Sequence, residues 1–302
     1  MRNEFAKSII GHYKKQKNIC FLTGDLGFMA LEGVQTELGD HFINVGVAEQ
    51  NLVSIAAAMA FEGFIPFAYS ISPFITFRPY EQIRVDVCLH NLPVKIVGNG
   101  GGYGYGIMGA THHSIEDFGS MKILPNMRVY LPFFDRDVDV VVNMMLKDVH
   151  PNYLRLNMGV KENVITYQPF EPYRKLKAGS ELVILGCGTV VEQLFKLPSD
   201  IVKNIEIWLV SILPLEKFPE SLIHSINQKK KLVIIEEHVK EGGLGESVIY
   251  EIFQSGIQLN SFDHIFAQGY PSGKYGSQLW HLEENDLAGK GLETRVKLML
   301  DR

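Results

Sequence analysis

Apolar residues follow two patterns that alternate along the first half of the chain. Residues 19–22 form a continuous apolar run, which is typical of a strand buried on both faces of a parallel sheet. Residues 2–17 instead place Phe5 and Ile9 on one face of an amphipathic helix. The same alternation continues to residue 156 and predicts an α/β domain.

A second series of strand and helix patterns begins at residue 181. Its strands are predicted at 205–212, 232–236 and 264–268. The segment before this series lacks periodicity and contains Pro169 and Pro172, which indicates a linker. The sequence thus predicts two doubly wound α/β domains. The predicted bounds are 1–160 for the first domain, 161–179 for the linker and 180–302 for the second domain.

One stretch, residues 43–60, changes from a strand pattern to a helix pattern at Gly46. Glu49 falls in the first turn of the predicted helix, whose other residues are nearly all apolar. Such an acid can be an exposed residue that favours the helix dipole. It can also be a carboxylic acid in a dry cleft, with a raised pKa and a proton to donate.

Composition narrows the class of protein. The chain has 302 residues, is 46% hydrophobic and carries a net charge of −5, as expected of a soluble globular protein with no nucleic acid or anionic membrane partner. No apolar run is long enough to cross a membrane. The polar N-terminus lacks a signal-peptide core. Three cysteines lie far apart without metal-ligand spacing, so we expect a reducing, cytoplasmic location and no metal ligands in this chain.

Residues 44–51, Asn-Val-Gly-Val-Ala-Glu-Gln-Asn, closely resemble the pyrimidine-binding segment of the transketolase family of thiamin diphosphate enzymes. The most similar members are transketolases split into two chains. The resemblance implies that Glu49 hydrogen-bonds a ring nitrogen of the cofactor's aminopyrimidine. Its proton would favour the imino tautomer that begins cofactor activation, which requires an acid that is protonated near neutral pH.

The resemblance also implies cofactor contacts from two other segments. Asp25 lies at the end of the first strand, where a turn-forming role and a role beside the cofactor are both open. An aromatic residue of the family stacks on the pyrimidine ring, and Phe74 and Phe77 are the candidates, with Tyr80 close behind them. We expect these aromatic residues to lie in a loop that precedes a helix starting after Pro79.

Residues 109–112, Gly-Ala-Thr-His, resemble the Gly-x-Thr-His segment of transketolases, whose histidine faces the substrate near the reactive carbon. This implies a catalytic and substrate-binding role for His112, whereas His113 is structural or faces solvent. Arg155, and with weaker support Arg2, match family arginines that bind the sugar phosphate, a task that suits the planar guanidinium fork.

Gly104, Gly106 and Gly109 satisfy the G-x-G-x-x-G pattern of dinucleotide-binding proteins. That pattern needs its first glycine immediately after a strand and a helix that opens at the third. Here the glycines begin at Gly98 and the loop runs on to Thr111. We therefore predict a long loop and no nicotinamide site.

The Gly-Asp-Gly motif that holds magnesium and the diphosphate in whole transketolases does not occur in the sequence. The resemblance therefore implies that a separate N-terminal, diphosphate-binding subunit holds Mg²⁺, and that the two chains form a two-plus-two heterotetramer. The second domain of this chain is expected to be an interface and stability module.

Three departures from the family pattern bear on the substrate. Asn99 stands where sugar-phosphate transketolases have a histidine, Met108 replaces an acidic residue, and Phe28 or Met29 replaces a serine. Losing polar partners changes selectivity strongly. We expect a transketolase-like transfer of a two-carbon ketol unit with a non-standard donor or acceptor sugar.

Three other functions stay open at this stage. The chain can be the beta-type subunit of a 2-oxo acid dehydrogenase, although the Thr111-His112 pair disfavours it. It can be part of a decarboxylating synthase, although the missing diphosphate domain disfavours this assignment. It can also be a partner that stabilises a thiamin enzyme without taking part in catalysis.

Overall fold

The computed structural model describes residues 1–27 and 30–302. Phe28 and Met29, one or the other of which is predicted to replace the family's serine, lie outside the described residues. The strands are β1 (Ile19–Thr23), β2 (Phe42–Asn44), β3 (Ile65–Ile71), β4 (Lys95–Asn99), β5 (Arg128–Tyr130), β6 (Asn152–Leu156), β7 (Tyr173–Lys177), β8 (Leu182–Cys187), β9 (Ile205–Val210), β10 (Ile212–Leu213), β11 (Lys231–Glu236) and β12 (Ser261–Ile265).

The α-helices surround these strands. They are α1 (Arg2–Tyr13), α2 (Glu32–Leu38), α3 (Glu49–Phe61), α4 (Ser72–Phe77), α5 (Tyr80–Gln82), α6 (Asp117–Lys122), α7 (Asp137–Lys147), α8 (Ser199–Val202), α9 (Glu220–Lys229), α10 (Leu244–Gln254), α11 (Gln278–Glu284) and α12 (Gly289–Asp301). Tighter 3₁₀ segments lie at Gly39–His41, Gly106–Met108 and Thr189–Lys196, and a π-helical segment lies at Ile83–Leu89.

The strands form two sheets, which confirms the predicted pair of α/β units. The first sheet has the order β10-β5-β6-β4-β3-β1-β2 and is parallel except for β10 at its edge. The second has the order β12-β11-β8-β9-β7 and is parallel except for β7. The continuous apolar run of β1 is buried at every position, as expected of a strand covered on both faces.

The structure corrects three local predictions. Tyr173–Lys177, inside the predicted linker, is a strand that pairs antiparallel with β9. Ile212–Leu213 leaves the second half of the chain and pairs with β5 of the first sheet. Phe74 and Phe77 lie on a helix, α4, and not in a loop. The first two strands could not be read from periodicity because a short edge strand carries too few residues to show one.

Buried polar contacts join the two halves of the chain. The side chain of Arg155 on β6 donates to the backbone carbonyl of Glu237, and the backbone amide of Gly119 donates to Nε2 of His238. A Cβ atom on Gly119 would lie only 2.7 Å from the His238 ring, so only glycine permits this approach.

None of the helices formed by the described residues combines the length and the apolar character needed to cross a bilayer.

Candidate active site

Glu49 is the first residue of α3, and its carboxyl side chain is enclosed. The residue is 3% exposed. Ser70 Oγ donates to Glu49 Oε1 at 3.2 Å, and Arg78 Nη1 donates to Oε2 at 2.8 Å. A Cβ atom on Gly24 would lie 3.6 Å from Oε1, so the end of β1 forms one wall of this pocket. The alternative of a solvent-facing Glu49 is therefore excluded.

The turn that delivers Glu49 is fixed by Asn44 at the end of β2. Oδ1 of Asn44 accepts from the backbone amides of Asp25, at 2.9 Å, and Gly46, at 3.0 Å. Its amide nitrogen donates to Asp25 Oδ1 at 3.1 Å. Gly46 has φ 73°, a conformation that glycine adopts without steric cost. Asp25 is thus an exposed turn residue held next to the Glu49 pocket, one position after Gly24.

Phe74 lies beside His112 on one side and beneath Arg78, the partner of Glu49, on the other. The centroids of the Phe74 and His112 rings are 5.2 Å apart in an edge-to-face arrangement. The Tyr105 ring also lies beside His112, with the two ring centroids 5.8 Å apart. Nδ1 of His112 lies 2.9 Å from Thr111 Oγ1, and Nε2 has no hydrogen bond within residues 1–27 and 30–302. His112 therefore offers one unengaged ring nitrogen beside an aromatic face.

The loop that carries His112 is pinned at its base. Gly102 and Ser114 form a short antiparallel bridge, and the helix that follows the loop begins only at Asp117. No helix opens at Gly109, as predicted, so the glycine pattern is not a dinucleotide fingerprint.

His113, in the same loop, is buried. Its Nε2 donates to the Gly106 carbonyl at 2.8 Å, so Nδ1 accepts from the Tyr270 hydroxyl at 3.0 Å. Burial lowers the pKa of His113 to about 4. Of the two alternatives, structural or solvent-facing, the structural one holds.

A cleft of about 430 Å³ lies beside this cluster and is lined in part by Arg2, Asn99 and Tyr105. The Asn99 amide donates to the Tyr105 hydroxyl at 2.9 Å. Burial raises the pKa of Tyr105, while its hydrogen bond with Asn99 and the charge of Arg2 oppose the rise. Arg2 has no hydrogen bond or ion pair with the described part of the chain, so its cation is available to a ligand.

Arg155 differs from Arg2 because its donors are used inside the protein. Nε donates to Asp117 Oδ2 at 2.8 Å, and Nη2 donates to the carbonyls of Ser114 and Glu237. Arg155 is 5% exposed. This placement favours a structural role at the contact between the two domains over the predicted phosphate contact.

Phe77 and Tyr80 are not part of the ring cluster formed by Phe74, His112 and Tyr105. Phe77 is 40% exposed, and the Tyr80 hydroxyl donates to the Ser120 carbonyl of α6 at 2.8 Å. Their predicted cofactor contacts therefore remain predictions, whereas Phe74 lies next to His112 and is linked to Glu49 through Arg78.

Sequence reasoning missed three residues of this site: Ser70, Arg78 and Tyr105. Arg78 follows Phe74 by four positions, a spacing that puts two helical side chains on one face, and this could have indicated it. The pairing of Ser70 with Glu49 joins a strand end to a helix start, which no local pattern reveals.

The fold and the site together define a two-domain α/β protein with a buried acid, an aromatic face and a histidine at the carboxyl edge of its first sheet. The family described as "Transketolase, pyrimidine binding domain" matches residues 1–162, and "Transketolase, C-terminal domain" matches residues 173–260. The chain belongs to the transketolase family, as its sequence motifs predict.

Individual relatives agree with this assignment. The chain is 32% identical to one subunit of the apulose-4-phosphate transketolase of Actinobacillus succinogenes, over 74% of its own length and 73% of that protein. It is 30% identical to 1-deoxy-D-xylulose-5-phosphate synthase of Clostridium perfringens, over 72% of this chain but only 36% of the synthase. A solved structure described as a split gene transketolase, inactive beta4 tetramer, superposes with a TM-score of 0.84 at 26% identity, covering 99% of this chain and 98% of that one.

Proposed function

We propose that this chain is the pyrimidine-binding subunit of a thiamin diphosphate-dependent, transketolase-like enzyme that moves a two-carbon ketol unit from a ketose to an aldose. The observation that carries the proposal is Glu49. The residue is 3% exposed and lies at the carboxyl edge of the first sheet. Its carboxyl group is hydrogen-bonded to Arg78, which covers the Phe74 ring, and Phe74 in turn contacts His112.

The residues present fit the pyrimidine part of the cofactor. Gly24 leaves room beside Glu49 Oε1, Ser70 holds that oxygen, and Phe74 offers an aromatic face. Thiamin diphosphate supplies the carbon nucleophile of the reaction when it is bound. Glu49 would hold and share a proton through Oε2, and the unengaged Nε2 of His112 would orient substrate oxygens or exchange protons with them. Asp25 would line the entrance to the same pocket.

A second subunit completes the enzyme in this proposal. It would bind the diphosphate and Mg²⁺, and two copies of each chain would form a heterotetramer in the cytoplasm. The similarity to a protein that is named as one subunit of a transketolase, and the match to a split gene transketolase over nearly the whole chain, support this assembly. The domain bounds 1–160 and 180–302 stay a prediction.

The substrate of the proposed reaction is a phosphorylated sugar outside the common pentose phosphates. Arg2 provides a cation in the cleft that forms no ion pair with the part of the chain that the structure describes. Asn99 stands at the position of the family's histidine, and its amide is hydrogen-bonded to Tyr105. A relative named for apulose-4-phosphate supports a sugar phosphate of this kind. Normal turnover of common pentose phosphates by the complete enzyme would overturn this part of the proposal.

The test is a ketol-transfer assay of the chain purified together with its diphosphate-binding subunit, against a panel of ketoses. Glu49→Ala should remove nearly all activity, whereas the exposed Glu62→Ala variant should retain it. Full activity of Glu49→Ala would indicate that this chain only stabilises the enzyme and takes no part in catalysis. Finding a neighbouring reading frame that encodes Gly-Asp-Gly followed by Asn would identify the partner.

A second candidate is a decarboxylating synthase, which the 30% identity to the Clostridium perfringens enzyme favours. Release of carbon dioxide from pyruvate by the same complex distinguishes the two reactions. A beta-type subunit of a 2-oxo acid dehydrogenase would release it as well, but would not pass the product to an aldehyde sugar.

A further inference from the structure

Arg78 covers both features that make the Glu49 pocket suitable for a pyrimidine ring. Its guanidinium carbon lies over the Phe74 ring, 3.8 Å from the centroid. Its Nη1 donates to Glu49 Oε2 at 2.8 Å. The guanidinium is flat, conjugated and rich in N–H donors, so it stacks on aromatic rings and bonds carboxylates at once.

The contacts of Arg78 are those that an aminopyrimidine needs. A flat nitrogen heterocycle at this site would stack on Phe74 and hydrogen-bond the carboxyl group of Glu49. Ser70 already holds Oε1, which leaves Oε2 as the oxygen for a ligand. Because Arg78 is bonded to Oε2 and lies on the Phe74 ring, a pyrimidine at this site competes with it for the same oxygen.

Nothing else holds Arg78 in this position. The ion pair with Glu49 and the contact with Phe74 are the interactions of its side chain within the described residues, and that side chain is 43% exposed. It follows the last residue of α4 and precedes Pro79, and its side chain can turn outward into solvent without breaking another hydrogen bond. Arg78 is the exposed member of this ion pair and Glu49 the buried one, so the guanidinium can regain water when it leaves, provided that a ligand takes over its hydrogen bond to Oε2.

We propose that Arg78 occupies the place of the pyrimidine in the cofactor-free chain and leaves when the cofactor enters. This inference rests on the proposed function, since it requires the Glu49 pocket to receive the pyrimidine. Arg78 thereby shields a buried carboxylate from solvent while the site is empty, and it sets how tightly the cofactor is retained.

The test compares thiamin diphosphate binding by the complete two-subunit complex with magnesium present, measured by titration calorimetry. Arg78→Met keeps the apolar stem but removes the ion pair, and it should lower the dissociation constant about tenfold, which corresponds to about 1.4 kcal/mol. Arg84→Met, an exposed arginine on the following helical segment, should leave the constant unchanged. An unchanged or raised constant for Arg78→Met would overturn the inference.

Two further measurements separate this inference from the proposed function. Glu49→Gln and Phe74→Ala should weaken binding, and if neither does, the assignment of the pocket itself fails. In arginine-labelled protein, the side-chain NMR signal of Arg78, identified by its loss in Arg78→Met, should show a ring-current shift that saturating cofactor removes. Persistence of that shift in the loaded complex would make Arg78 a residue that holds the cofactor, which contradicts displacement.

Discussion

Ser70 Oγ donates to Oε1 of Glu49 at 3.2 Å, and this bond ties the carboxyl end of β3 to the first residue of α3. Ser70 is fully buried. Because one oxygen is held from the sheet, the carboxyl group has a fixed orientation and Oε2 is turned toward Arg78, which lies on the Phe74 ring. The site therefore depends on a residue that is not itself placed to contact a sugar.

Ser70→Ala should lower the turnover number about tenfold, since the carboxyl group loses the contact that orients it. The cost in unfolding free energy should be about 1 kcal/mol, as for one hydrogen bond. Steady-state assays of the two-subunit complex and denaturant unfolding measure these effects. The matched control is Ser54→Ala, which loses a hydrogen bond to Asp86. Ser54 lies on α3, the helix that begins at Glu49, but away from the pocket. Equal turnover losses in the two variants would show that the Ser70 contact has no special role.

Arg155→Met should destabilise the fold more than it affects substrate binding. The variant leaves Asp117 buried without its cation, and breaking a buried ion pair costs about 3–5 kcal/mol. Arg128→Met, which removes a half-exposed arginine 3.6 Å from Asp148, should cost less than about 1 kcal/mol. Denaturant unfolding measures both. A stable Arg155→Met protein with a raised KM would restore the phosphate-binding role that the family resemblance implies.

Arg2→Met should show the opposite behaviour. The Arg2 side chain has no hydrogen bond or ion pair among the described residues, so its loss should leave the unfolding free energy within about 0.5 kcal/mol of the parent. The KM of a phosphorylated donor should rise about tenfold or more, because a charged hydrogen bond to phosphate is lost. A non-phosphorylated analogue should be unaffected. Lys7→Met, on the exposed face of the same helix, is the control, and an equal KM rise there would indicate a general charge effect.

The sequence predicted the parts of this molecule that local patterns determine. A continuous apolar run identified β1, and the change of period at Gly46 located the start of α3. The pocket residues Glu49, Phe74 and His112 were each predicted from a short motif whose residues are adjacent in sequence. The elements that carry them could be predicted because each depends on a short segment and on the rule that parallel strands align their carboxyl ends, while the roles of the three residues at a cofactor or substrate stay a prediction.

What the sequence could not predict depends on contacts between distant segments. Arg155 reads as an unpaired charge on a strand, and only the fold places Asp117, 38 positions earlier, against its Nε atom. Tyr80 reads as one of several aromatic residues before a helix, and only the fold directs its hydroxyl to Ser120. β10 joins a sheet whose other strands all precede it by more than 50 residues.

His113 should make the fold less stable in mild acid. Burial lowers its pKa to about 4, whereas a histidine in the unfolded chain titrates near about 6.5. Between these values the unfolded chain binds a proton that the folded chain refuses, so stability falls as pH falls. The contribution of His113 to this loss of stability should be about 2 kcal/mol between pH 7 and pH 5.

His113→Gln should therefore lose less unfolding free energy than the parent between pH 7 and pH 5, because it has no imidazole ring to protonate. Denaturant unfolding at the two pH values measures the difference. Buried His238 and His281 have lowered pKa values too, so the comparison with the parent isolates the share of His113. Exposed His224→Gln should lose as much stability as the parent; the same result for His113→Gln would refute the prediction.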